Sequence, residues 1–122
     1  MEPFIMDDQS YFSIKNWMNQ FPGLVAGITT KNGGNSIGFF ENLNMGFHVG
    51  DLHESVCSNR DKLANLLHFP LKYWAGAEQT HDTQIRKIFK SDRGNGSDSY
   101  ENAFKGTDGF YTNKEGILLT LC

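Results

Sequence analysis

Residues 51–67 constrain the fold more than any other stretch. Asp51-Leu52-His53-Glu54 has capping-box spacing: a carboxylate placed to accept the free amides of a first helical turn, and a glutamate at the third helical position able to reach back. Beyond it, Val56, Arg60, Leu63 and Leu67 fall on one helical stripe with Ala64 and Leu66 beside them, while Ser58, Asp61, Lys62 and Asn65 decorate the remainder. The pattern predicts one amphipathic helix, which must lay its stripe on something. Elsewhere the apolar residues come in short runs of strand length, so the partner is a sheet and the class is α+β.

The strand expectations are residues 24–30, 73–77 and 84–89, and a last run from Gly109-Phe110-Tyr111 to Ile117-Leu118-Leu119-Thr120-Leu121-Cys122. Residues 8–21 leave two readings open. Tyr11, Phe12 and Ile14 suit a strand, whereas Trp17, Met18 and Phe21 suit a short helix, and Pro22-Gly23 ends either one. Residues 31–36, Lys-Asn-Gly-Gly-Asn-Ser, mark a loop, and the recurrence of Gly38, Gly46 and Gly50 points to backbones that approach each other or a ligand closely. Residues 91–102, rich in Gly, Ser, Asn and Asp, are expected to form a mobile surface loop or the edge of a lid. No internal repeat or linker is visible. A chain of this length holds one core. Its last apolar run has no polar exit behind it, so the expectation is the N-terminal portion, residues 1–122, of one larger domain cut after Cys122.

With a net charge of −3 and with Lys and Arg scattered, the chain lacks the basic footprint of a nucleic-acid binder. No apolar run approaches the ~20 residues of a membrane span. The acidic opening Met1-Glu2-Pro3-Phe4-Ile5-Met6-Asp7-Asp8 is unlike a signal peptide, which places the chain in the cytoplasm, with Cys57 and Cys122 as reduced thiols.

Among residues able to carry chemistry, His81 leads. It sits at a strand end beside Gln79 and Asp82, where one ring nitrogen can be held by a neighbour while the other faces a metal or substrate. A single histidine with no second ligand at metal spacing is equally a turn residue. His48 and His53 do not supply that spacing, and His68 reads as a helix-end residue at the negative pole. Asp108 is either a turn aspartate or a carboxylate brought to the sheet edge of His81. Arg60, on an otherwise apolar stripe, either packs its stem and snorkels or pairs with a carboxylate, or it anchors loops or an anionic ligand. Cys57 and Cys122 read as packing residues, Cys57 semi-buried in the helix and Cys122 inside the last strand. HExxH, P-loop, dinucleotide and G-x-S-x-G motifs are all absent.

Five segments together resemble one known family. Thr29-Thr30-Lys31-Asn32-Gly33-Gly34-Asn35-Ser36, Asn42-Leu43-Asn44-Met45-Gly46-Phe47-His48-Val49-Gly50-Asp51, Asn59-Arg60, Gln79-Thr80-His81 and Thr107-Asp108-Gly109-Phe110 are similar, in order and spacing, to the first half of the laccase-domain family. Members of the YlmD and YfiH type were labelled polyphenol oxidases and later recognised as zinc-dependent purine nucleoside phosphorylases. The resemblance implies a layered α/β/β/α domain with mixed sheets. It also implies phosphorolysis of purine nucleosides, with deamination of adenosine, at a zinc held by two histidines and one cysteine. His81 matches the first ligand. The cysteine belongs to an Ala-Asp-Cys segment and the second histidine to a His-Ala-Gly-Trp-Arg-Gly segment, neither of which is present, and Cys122 lies too early to be that cysteine. Asn42, Asn44, His48, Arg60 and Asp108 are then candidates for the substrate pocket, with purine nucleosides and phosphate as partners. The fragment alone is expected neither to hold zinc tightly nor to turn over. Two other function classes stand beside this one: a small α/β binding or structural domain without activity, and a copper-dependent polyphenol oxidase.

Overall fold

The computed structural model describes residues 3–122. Residues 8–21 satisfy both expectations in succession. Strand β1 (Phe4–Asp8) pairs antiparallel with β2 (Tyr11–Ile14), and helix α1 (Lys15–Gln20) follows without a break. Strand β3 (Gly27–Thr29) completes this sheet in the order β1-β2-β3. It is shorter than the apolar run from residue 24 predicts. The ladder with β2 ends at Gly27, and only the Ala26 carbonyl continues it, accepting from the Ile14 amide at 2.9 Å.

Helix α2 (His53–Leu67) buries Val56, Asn59, Arg60, Leu63 and Ala64. The helix is where the stripe puts it, but the predicted cap is not. Leu52 is the N-cap and makes no side-chain bond to the helix, because the Asp51 carboxylate is engaged by Ser36, Asn44 and the Leu52 amide. At the other end His68 takes a left-handed conformation (φ 55°) and turns its amide onto the carbonyls of Ala64 and Asn65, so its backbone, not its ring, closes the helix.

Strand β4 (Trp74–Gly76) pairs parallel with β7 (Leu118–Thr120), and β5 (Ile85–Lys87) pairs parallel with β6 (Gly109–Tyr111). The whole is a mixed α+β fold of antiparallel and parallel sheets. Leu63 and Ala64 of α2 pack on Trp74 of β4, with Tyr11, Met45, Leu67 and Leu118 around them. The Trp74 indole N–H donates to the Phe69 carbonyl at 2.7 Å, so burying this ring leaves no polar atom unpaired.

Two expectations fail here. Residues 91–102 are not a mobile surface loop, for Gly96 and Ser97 are buried and the segment is bonded to the edge of β4: Gly94 N–H to the Trp74 carbonyl at 2.7 Å, Gly76 N–H to that of Asn95 at 2.8 Å. Glycine is required at the crossing, since a Cβ on Gly76 would stand 2.7 Å from the Gly96 carbonyl oxygen. Cys122 is not a strand residue. The ladder stops at Thr120, and Cys122 lies beyond it with its thiol turned to Arg60.

Candidate functional site

The register of β5 and β6 builds the first part of the site. Ile85 lies opposite Gly109, which sets the residues just before them, Gln84 and Asp108, side by side, and the Asp108 amide donates to the Gln84 carbonyl at 2.9 Å. The Asp108 carboxylate is thereby aimed at the turn of residues 80–82. One oxygen accepts the amides of Thr80 (2.8 Å) and His81 (2.7 Å), and the other accepts the amide of Asp82 (2.8 Å). Desolvation pushes this carboxyl up, but the amides of Asp82, His81 and Thr80, with the Thr80 hydroxyl, outweigh it and hold Asp108 below the usual carboxylate range. The turn puts His81 at φ 58°, and its side chain is exposed with no hydrogen-bond partner among the described residues. Asp108 thus reaches the same place as His81, as one of the two sequence readings has it, though it grips backbone and not ring.

Arg60 organises the second part. It is 5 % exposed and spends its donors on carbonyls: Nε to Met45 at 2.8 Å, and Nη1 to Gly96 at 2.6 Å and Ser97 at 3.1 Å. Its guanidinium also lies 4.2 Å from the Phe47 ring centroid. Among the described residues no carboxylate pairs with it, so of the sequence readings the loop anchor is the one the structure shows, and snorkelling is excluded by burial. Burial pulls its pKa down against the pull of Cys122, Cys57 and Asp98, and an arginine stays charged under such a shift. The Cys122 thiol stands 3.7 Å from Nη2, and burial around it raises its pKa more than Arg60 lowers it, although the residue as a whole is exposed. Cys57 is half-buried beside His53 Nε2 (3.3 Å), its thiol likewise pushed up by burial.

His48 is exposed and stacks on Tyr100, with ring centroids 5.8 Å apart. It shares with Phe47, Arg60 and Cys122 a cavity of about 10 Å³, room for one water and no nucleoside. Asn42 and Asn44 tie loops. Asn42 accepts the Gly34 amide at 3.0 Å, and Asn44 bridges Gly46 and Asp51 at 3.2 Å. Asn59 enters the sequence reading only as part of the Asn59-Arg60 segment, with no role assigned. Fully buried, it accepts the Asn35 amide at 2.7 Å and donates to the Ser36 hydroxyl at 2.9 Å and the Asn44 carbonyl at 2.8 Å, holding residues 35–44 on α2. Its spacing of three from Val56 and four from Leu63 was the available signal.

A cavity of about 620 Å³ forms an open apolar groove lined by residues such as Trp17, Ile28, Leu66 and Leu121, and His81, His48 and Asp108 are not in its walls. Arg60 and Cys122 line it as well, so it adjoins the second part of the site and not the turn of His81. Among the described residues no group of three or more His, Cys, Asp and Glu side chains is placed to hold a metal ion, and no helix is long and apolar enough to cross a membrane.

A family model described as multi-copper polyphenol oxidoreductase laccase matches residues 25–122. The chain belongs to this family. It is 53% identical over 102 residues to the purine nucleoside phosphorylase YlmD of Geobacillus stearothermophilus, covering 84% of this chain and 37% of that protein. It is 41% identical over 123 residues to the YlmD of Bacillus subtilis, covering 98% of this chain and 44% of that one. Among solved structures, Bacillus licheniformis YfiH, a hypothetical protein, superposes with a TM-score of 0.94 at 43% identity, over 100% of this chain and 44% of its own. The chain spans less than half the length of the family members it matches. The fold and the five sequence segments therefore place it, as the resemblance implies, with the N-terminal part of these proteins.

Proposed function

We propose that this chain contributes the first metal ligand, His81, to a zinc-dependent purine nucleoside phosphorylase of the kind its curated relatives are named for. The observation that supports the reading is the exposed His81 imidazole, without a hydrogen-bond partner among the described residues and carried on a turn whose three amides are all engaged. The residues present fit zinc in part. One imidazole is offered, and in this reading the remaining protein donors come from outside the described residues, since no three-donor cluster exists among them. When bound, a zinc with three protein ligands keeps a position for water or a substrate oxygen and lowers its pKa.

The chain's own residues then divide the work. His81 binds, and Arg60 holds the carbonyls of Met45, Gly96 and Ser97 so that Phe47, His48 and Tyr100 keep one wall. With Nε and Nη1 committed to carbonyls and Nη2 against the Cys122 thiol, Arg60 is a poor phosphate clamp, and Asn42 and Asn44 are loop ties in this reading. The small cavity beside His48 is too tight for a purine, and in this reading nucleoside and phosphate meet His81 at a surface that another segment completes. Two free thiols accord with a cytoplasmic protein. The family's description supports a second reading, copper-dependent oxidation of phenols.

The test is a chimera of this chain continued with the part of Geobacillus stearothermophilus YlmD that follows the matched stretch. It is given adenosine or inosine with and without phosphate, and the products are separated by chromatography. Free purine base that appears only with phosphate is the expected result. Phosphate-independent inosine from adenosine identifies deamination, and consumption of oxygen with a phenol and copper supports the second reading. A folded, zinc-loaded chimera that converts none of these would leave a binding domain.

A further inference from the structure

His81 stands at φ 58°, in the left-handed region that side-chain-bearing residues avoid, and the only other such non-glycine residue among those described is His68 at a helix end. His81 has no helix end to explain it. What holds it is the turn of residues 80–82, whose three successive amides converge on the single carboxylate of Asp108 at 2.7–2.8 Å, with the Thr80 hydroxyl at 3.4 Å. Such a run of amides forms a concavity that selects an anion, and Asp108 fills it from within the chain. Asp108 is itself fixed. Its amide bonds Gln84, its neighbour Gly109 is in register with Ile85, and the buried Thr107 donates its amide to Glu78 at 3.1 Å. The turn is thus tied at both ends and clasped at its centre, while the imidazole has no partner among the described residues.

We propose that Asp108 is a positioning residue for the metal: by clasping these amides it locks the left-handed backbone of His81, and so fixes the direction in which the imidazole is presented. The inference rests on the reading of His81 as a metal ligand. It assigns to Asp108 the outer role usually taken by a group bonded to a ligand's ring, here exercised through the ligand's main chain. An ordinary turn aspartate would support the turn without affecting what the ring binds.

The experiment uses the chimera of this chain with the Geobacillus stearothermophilus YlmD continuation, which supplies the remaining donors, its Asp108→Ala and Asp108→Asn variants, His81→Ala, and Asn59→Ala as a destabilised control remote from the turn. Two NMR readouts are taken: the intraresidue amide-to-Hα cross-peak of His81, strong at positive φ, with hydrogen exchange of the amides of residues 80–82; and the shift of the His81 ring signal as Zn²⁺ is added, with His48 and His68 as internal references. In Asp108→Ala the cross-peak weakens, and the three amides exchange at least about tenfold faster while the Ile88 amide, bonded to Tyr111, stays protected. The Zn²⁺ concentration that half-shifts the ring rises by about tenfold. Asp108→Asn keeps one acceptor oxygen and recovers part of both effects, and it is read alone if Asp108→Ala does not fold. Asn59→Ala leaves the ring titration unmoved. An unchanged cross-peak and unchanged exchange in Asp108→Ala overturn the clasp. A released turn with an unchanged ring titration overturns the positioning role. If His81→Ala leaves the protein's Zn²⁺ response as it was, the reading of His81 as ligand fails while the clasp stands.

Discussion

Replacing Arg60 tests whether the loops around the site depend on one fork-shaped cation. In Arg60→Met the carbonyls of Met45, Gly96 and Ser97 lose their donors and Phe47 loses its cation. A hydrogen bond from a charged donor contributes about 1.5–3 kcal/mol, and a desolvated cation–π contact about 2 kcal/mol. Removing a buried charge that has no carboxylate partner returns several kcal/mol of desolvation, so the net loss is about 3 kcal/mol, a large part of a stability of about 5–15 kcal/mol. Arg60→Lys is the sharper variant. It keeps the buried charge, but a single ammonium cannot span Met45 on one side and Gly96 and Ser97 on the other, so it loses at least as much as the methionine. Urea unfolding followed by the fluorescence of the buried Trp74 reads both variants, and a loss of about 3 kcal/mol moves the midpoint by about 1–3 M. If Arg60→Lys unfolds within about 0.5 kcal/mol of the parent, the carbonyl fork is not what holds residues 45 and 96–97 together.

Three further outcomes follow from the same contacts. Asn59→Leu leaves the Asn35 amide and the Asn44 carbonyl unpaired and lowers stability by about 2–4 kcal/mol in the same urea assay; a neutral result would show that water replaces the side chain. The Ser36 hydroxyl first, then the Asn44 amide and the Leu52 N–H against some desolvation, hold Asp51 below the usual carboxylate range. Its contribution is therefore present above the unfolded pKa and lost as pH falls through the folded one, so the stability gap between the parent and Asp51→Asn is widest near pH 7 and closes in the acid range below about pH 4. A gap that widens on acidification contradicts the sign. His81→Gly removes the side chain that makes φ 58° costly and raises stability by about 0.5–1 kcal/mol, measured by thermal unfolding, where a loss would mean the ring packs on the fold.

The sequence makes α2 legible because an apolar stripe at helical spacing has few other solutions, and it places His81 at a turn between two strands because polar residues stand in a row between two apolar runs. What misleads is polar residues whose partners lie far along the chain. Asp51 has the composition of a cap, yet it serves Ser36 and Asn44, and only tertiary contact shows which backbone claims a carboxylate. Asn59 lies on the buried stripe by spacing, but its polarity masks it until the loop of residues 35–44 is seen folded over it. The glycines near residue 96 mimic a flexible loop, whereas they are what lets two backbones touch at Gly76. Asp108 is ambiguous for the same reason: its role depends on the register of β5 against β6, which no local pattern contains.

The most direct measurement is the zinc content, by atomic spectrometry after exhaustive dialysis, of the chimera with Geobacillus stearothermophilus YlmD, beside the same chimera carrying His81→Ala. One zinc per chain in the first and at least about tenfold less in the second is the predicted result. Equal zinc in both would contradict the assignment of His81 as a ligand of the site.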